Sequence, residues 1–194
     1  PNLERSQWMA QLEPTAKQAI LSACRPLQLK PGSLLHAKGD TCNGMYGLET
    51  GQIQVGAIAG NGDEFVVTRL QDGEWFGEIA VLDGGLRTHD THAVTHCEIA
   101  WLSMSAVQQL RSEHQDVDRW MALLLCHHVR ASFDAIDQFL ILSPRQRLAQ
   151  RLLQISQNQN NTRVTVNQAE MGALIGLSRH CLLYTSDAAD DEER

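Results

Sequence analysis

The sequence predicts an α+β protein: an antiparallel β jelly-roll barrel with flanking helices, then a long helix, then a helix-turn-helix. Three observations carry this expectation. Hydrophobic spacing changes twice, from helical to short strand-like runs at Arg25 and back to helical near Ser103. The runs between are closed by turn residues at roughly 8–12-residue spacing, the pattern of many short antiparallel strands. Charge is also uneven. The chain has a formal net charge of −7, yet residues 143–180 carry five Arg and only Glu170, a balance of +4. A basic segment on an acidic chain is the footprint of a nucleic-acid contact.

Residues 1–24 read as helical, with Trp8, Leu12, Ala16, Ala19, Ile20 and Ala23 mostly three or four apart. Pro14 interrupts this run and suits the first turn of a second helix. Strand-like runs follow at Ser33–His36, Met45–Glu49, Gln52–Ala57, Phe65–Leu70, Thr88–Val94 and Glu98–Ser103. Pro31-Gly32, Gly39-Asp40, Thr50-Gly51, Asn61-Gly62-Asp63 and Asp72-Gly73 supply the turns. The alternation of Ile53, Val55 and Ala57 fits a strand with one buried face.

Ser103 is placed to cap a short helix running to Leu110. A long helix is expected from about Gln115 to Phe139, with Val117, Met121, Leu125, Val129, Phe133, Ile136 and Leu140 as its apolar stripe. At ~25 residues it would be ~37 Å long, long enough to outrun its own domain and pair with a second copy. Ser143-Pro144 ends it and opens a helix over 144–157. Thr162–Val166 is a short β-rich run. Asn167 caps a helix from Gln168, Gly176 ends it, and Leu177-Ser178-Arg179 opens another.

Composition narrows the classes. Apolar residues make up 43% and charged residues 20%, which is ordinary globular composition. No run approaches the ~20 apolar residues of a membrane span. The N-terminus has no apolar signal core, and it begins with Pro1 rather than Met, so an upstream start is expected. Cys24, Cys42, Cys97, Cys126 and Cys181 are scattered without a CxxC. That pattern argues against a disulfide scaffold, a zinc site or an iron–sulfur cradle and for a cytoplasmic protein.

The last fourteen residues, CLLYTSDAADDEER, change character. They lack the apolar period needed to continue a recognition helix and end in acids where DNA phosphates would lie. They resemble a translated sequencing adapter, so residues 181–194 are expected to be non-native and the recognition helix to be truncated near His180.

Two motifs carry a family resemblance. Gly77-Glu78-Ile79-Ala80, six linking residues ending in Leu86, then Arg87-Thr88 is similar to the phosphate-binding cassette of cyclic-nucleotide-binding domains. Residues Gln168 to Arg179, QAEMGALIGLSR, resemble the DNA-binding helices of the Crp-Fnr transcription regulators. With the layout around them, these motifs cover nearly all of residues 5–180. The resemblance implies a double-stranded β-helix sensor domain over 1–114, a dimerisation helix over 115–140 and an incomplete winged helix-turn-helix over 143–180. It also implies a homodimer that binds double-stranded DNA, contacts RNA polymerase and takes cyclic AMP or cyclic GMP as effector.

Elementary chemistry fits the cassette. Arg87 offers a guanidinium fork for a cyclic phosphodiester, with the Thr88 hydroxyl beside it. Gly77, Glu78, Ile79 and Ala80 open a short helical turn whose N–H groups favour an anion. An ionised Glu78 can accept the ribose 2′-OH. The alternative is a buried Arg87–Glu78 pair with no ligand role. Ser132, on the long helix, is the hydroxyl at the level where relatives reach the base. Asp90 places a negative charge near the phosphate position unless strand alternation turns it outward.

At the DNA end, Arg179 suits a bidentate contact to guanine, and Ser178 suits a phosphate. Gln168 and Ala169 begin the preceding helix, whose N–H groups suit a backbone phosphate, and His180 stands where relatives often have Glu or Gln.

No metal is expected. His89 and His92 are three apart and fall on opposite faces of a strand. His92 and His96 are ~13 Å apart along it, too far to converge. That spacing weighs against a metal-dependent enzyme on a cupin-like jelly roll. The other alternative is an effector-binding module without DNA binding, against which the basic 143–180 segment argues. His127 and His128, in the long helix, read as solvated or hydrogen-bonded surface histidines.

Overall fold

The computed structural model describes residues 2–58 and 64–158. Within these, the chain forms two compact units, one of residues 2–57 and 67–130, the other of 58, 64–66 and 131–158.

The first unit opens with a 3₁₀ turn at Leu3–Arg5 and two helices, α1 (Gln7–Ala10) and α2 (Pro14–Ala23). The Ser6 side chain accepts from the Met9 amide at 3.1 Å and starts α1. Pro14 sits in the first turn of α2, where its missing N–H costs nothing. Eight strands follow: β1 (Arg25–Leu29), β2 (Leu34–His36), β3 (Gly44–Thr50), β4 (Ile53–Ile58), β5 (Glu64–Leu70), β6 (Trp75–Phe76), β7 (Asp90–Ala93) and β8 (Cys97–Ser103). They form two four-stranded sheets, β1-β8-β3-β6 and β2-β7-β4-β5. The ladders β1·β8, β2·β7, β3·β6, β3·β8 and β4·β7 are antiparallel, as expected for the jelly roll.

Alternation along the first sheet divides the core in two. Met45, Trp75 and Leu102 face Trp8, Met9, Ile20, Val107 and Met121 on the helical side. Their neighbours Tyr46, Phe76 and Ile99 point the other way and join Leu48, Ile53, Leu70, Ala93 and Cys97 inside the roll. One sheet buried on both faces therefore explains why β3 is buried over its first five residues. Trp8 bolts the helices together: it meets Trp75 edge-on at 5.3 Å and donates to the Trp120 carbonyl at 2.7 Å.

Three more helices lie wholly or partly in the first unit. α3 (Glu78–Asp83) lies between β6 and β7. α4 (Met104–Glu113) is capped as the sequence predicts, with Ser103 Oγ accepting from the Ala106 amide at 3.2 Å. It ends three residues beyond the expected Leu110. α5 (Val117–Ile141) runs 25 residues, shifted two residues toward the C-terminus from the expected span. Its Val117, Met121 and Leu124 are buried in the first unit. The stripe named from sequence had Leu125 in place of Leu124.

In the second unit, Phe133, Ile136 and Leu140 of α5 are exposed by 61%, 52% and 79%. α6 (Pro144–Asn158) follows. Ser143 and Gln146 cap it reciprocally: the Ser143 amide donates to Gln146 Oε1 at 2.9 Å, and the Gln146 amide to Ser143 Oγ at 3.4 Å. The expected β-rich run, the helix-turn-helix with Gln168, Ala169, Ser178, Arg179 and His180, and residues 181–194 lie outside the described residues.

Candidate functional site

The cassette is built where β6 turns into α3. Gly77 precedes α3 with φ +90° and ψ 10°, in the left-handed region. A Cβ there would lie 2.9 Å from Arg87 Nη1, so glycine is required by both backbone and neighbour. Glu78 then begins α3 with its side chain turned inward, while Ile79 is exposed and Ala80 buried.

Arg87 is held by an irregular segment between α3 and β7. Its amide donates to the Asp40 carbonyl at 2.9 Å, and its carbonyl accepts from the Gly39 amide at 2.8 Å. The side chain is 4% exposed. Nη2 donates to Asn43 Oδ1 at 2.7 Å and to the Gly44 carbonyl at 2.6 Å, and Nη1 donates to the Gly77 carbonyl at 3.2 Å. Nε is buried without a partner, and the guanidinium carbon lies 5.3 Å over the Tyr46 ring. All three acceptors are neutral oxygens. Among the described residues no carboxylate pairs with this cation.

Glu78 is 2% exposed, and it does not pair with Arg87 either. Its Oε1 lies 2.8 Å from His128 Nδ1, on α5. The buried Arg87–Glu78 pair weighed from the sequence is therefore corrected. Each charge is committed to a different element, and the local reason is that α3 separates the two positions. His128 is corrected with it. It is a half-buried partner of a buried carboxylate rather than a surface histidine. Burial lowers its pKa, but the Glu78 hydrogen bond and charge outweigh this, so the net shift is upward.

An aromatic stack lines the same interior. Tyr46 packs on Phe76 at 5.4 Å and on His36 at 6.0 Å, and its hydroxyl donates to Asn43 Oδ1 at 2.6 Å. Burial, and then the Arg87 charge, hold the His36 pKa down at about 4. Burial also pushes the Tyr46 hydroxyl up.

Of the remaining sequence-named residues, Thr88 is exposed and its Oγ1 lies 3.0 Å from His89 Nδ1. Asp90 accepts from the Lys38 amide at 2.7 Å, so its charge caps the 37–40 loop. Ser132 is exposed on α5, in the second unit. Among the described residues no three His, Cys, Asp or Glu side chains gather as a metal site. Asn43 and His128 are the two site residues that sequence reading missed.

A β-roll with a buried, carboxylate-free arginine behind a glycine-initiated helical turn defines a class, that of the cyclic-nucleotide-binding domains. Residues 26–114 match that domain family. Over most of its length the chain is similar to CRP-type transcription regulators. It is 23% identical over 175 residues to the CRP-like cAMP-activated global transcriptional regulator of Mycobacterium tuberculosis, covering 87% of this chain and 78% of that one. It is 25% identical over 175 residues to the cAMP-activated global transcriptional regulator CRP of Pasteurella multocida, covering 87% and 83%. Its fold is that of the c-di-GMP-responsive global regulator CLP of Xanthomonas campestris, with a TM-score of 0.76 at 18% identity over 93% of each chain.

Proposed function

We propose that this protein is a homodimeric DNA-binding transcription regulator whose barrel senses a cyclic nucleotide, cyclic AMP or cyclic GMP. One observation carries the reading. Arg87 is a buried cation whose hydrogen bonds go to neutral oxygens and whose charge has no carboxylate partner among the described residues. Burying a charge without a counter-charge is costly, so such a site favours an anion of fitting shape. A cyclic phosphodiester supplies one negative charge and two exocyclic oxygens. Arg87 takes the phosphate, Thr88 stands beside it, and Glu78 accepts a ribose hydroxyl. Gly77, Ile79 and Ala80 set the backbone around them.

The rest of the reading follows from the layout. The exposed apolar row of α5 meets the same row of a second copy. Gln168, Ala169, Ser178, Arg179 and His180 contact double-stranded DNA, and RNA polymerase is the further partner. The protein works in the cytoplasm. The effector acts by differential affinity for two dimer states, which shifts their populations. The relatives named above are transcription regulators, and no helix among the described residues is long and apolar enough to cross a membrane.

Calorimetric titration of cyclic AMP and cyclic GMP, with Arg87→Ala as control, tests the effector. Hydrogen bonds to charged groups contribute ~1.5–3 kcal/mol each, so losing this anchor weakens binding roughly a hundred-fold. A folded protein that gives no heat with either nucleotide refutes the effector assignment.

A further inference from the structure

The counter-charge of Glu78 comes from the long helix. Glu78 is almost fully buried, its carboxylate accepts from His128 at 2.8 Å, and Arg87 is turned to other acceptors. Glu78 and His128 are 50 residues apart, on α3 and α5. We propose that His128 is a working residue of the effector site: its imidazolium orients Glu78 and offsets its charge, so that affinity for an anionic effector depends on the protonation of His128. The inference rests on the cyclic-nucleotide reading above and deepens it.

The physical argument is one of charge. A buried carboxylate beside an anion-binding site repels the ligand it is meant to help hold. With His128 protonated, Arg87, Glu78 and His128 together carry one net positive charge. With His128 neutral they carry none. Nδ1 can still donate in the neutral ring, so deprotonation removes the charge without removing the hydrogen bond. Oε1 is the oxygen His128 uses, and Oε2 remains to accept a hydroxyl of the ligand.

The surroundings favour the proton. Glu74, in the turn before β6, adds a second negative charge. His127, on the same helix, lies 5.8 Å away between ring centroids. Arg5 and Asp72 line, with opposite charges, a cavity that His127 and His128 also line. Glu78 and Glu74 outweigh the cost of burial and raise the affinity of His128 for its proton, and an incoming anion raises it further. By linkage, effector affinity is highest at pH values where His128 is already protonated and falls as pH rises through its pKa. His128 acts through Glu78 and is thus a positioning residue.

Two measurements on the full chain test this. The first is an NMR titration of His128 in the wild type and in Glu78→Gln. His128 is expected to titrate above its ordinary value in the wild type and to move down in the variant. The second is calorimetric titration of cyclic AMP at pH 6 and pH 8.5. Wild-type affinity is expected to fall at least about three-fold between the two. His128→Gln keeps a donor but no titratable charge, so it should bind weakly and without pH dependence. His128→Arg keeps the charge, so it should bind tightly and equally without pH dependence. A purely structural role for His128 would weaken His128→Gln but leave the wild-type slope in it, and that result overturns the proposal. A His128 titration untouched by Glu78→Gln overturns it as well. Cyclic AMP that binds at neither pH refutes the effector reading instead, and the NMR arm then decides the charge link by itself.

Discussion

Gly77→Ala is expected to destabilise the protein by about 2–4 kcal/mol, and Gly84→Ala by only about 1–2 kcal/mol. Both glycines flank α3 in the left-handed region, with φ +90° and +71°. An L side chain there costs ~1–2 kcal/mol of backbone energy. At Gly84 nothing lies within 4 Å of the added Cβ, so the backbone term stands alone. At Gly77 the Cβ would meet Arg87 Nη1 at 2.9 Å, a group anchored by the bonds to Asn43 and Gly44. Arg87 must then move, and its 3.2 Å bond to the Gly77 carbonyl is lost or weakened, at ~1–2 kcal/mol more. Urea unfolding followed by tryptophan fluorescence reads the difference, since Trp75 is two residues away. The slope with urea should be unchanged in both variants, so that the midpoint reports stability alone. Equal losses for the two variants would refute the reasoning, because they would mean that Arg87 does not occupy the space Gly77 leaves. Cyclic AMP affinity should also fall in Gly77→Ala and hold in Gly84→Ala.

Two further predictions concern stability and assembly. His36 is held neutral in the fold, with a pKa near 4 against an ordinary value of 6.5, so the unfolded chain takes up its proton first. Stability from this group is complete above pH 6.5 and is lost as pH falls toward 4. Urea midpoints at pH 7 and pH 5 should therefore differ more in the wild type than in His36→Phe, which keeps the stack on Tyr46 but cannot titrate; equal differences would contradict this. Phe133→Glu, with Ile136→Glu beside it, puts charge into the exposed apolar row of α5. Sedimentation at micromolar concentration should show a dimer for the wild type and a monomer for the double variant, and an unchanged dimer would place the interface elsewhere.

The elements legible in the sequence are those whose signal is local. Ser103 caps α4 because its hydroxyl needs only the amide three residues on, and Pro14 starts α2 because its own ring fixes the backbone. The strands that escaped notice are β1 and β6. β1 contains Pro26, which ordinarily argues against a strand; it is tolerated because β1 is the edge of its sheet. β6 is only Trp75 and Phe76, too short for alternation to register, and it exists through its pairing with Tyr46 and Gly47. On α5 the exposed residues Val129, Phe133, Ile136 and Leu140 were named in the apolar stripe, but spacing alone does not say which part of a stripe its own domain covers.

At the site the division is sharper. The sequence by itself located the candidate site, because Gly77, the acid Glu78 after it and an arginine ten residues beyond the glycine have fixed positions along the chain. It also determined the order of barrel, long helix and basic segment, through period and charge. Only the tertiary structure decided whom these charges face. Arg87 meets Asn43 and Gly44 more than 40 residues away, and Glu78 meets His128 at a separation of 50. No local pattern encodes such pairings. A buried charge is satisfied by whichever polar group the packing of strands and helices delivers within ~3 Å, and that depends on the whole fold.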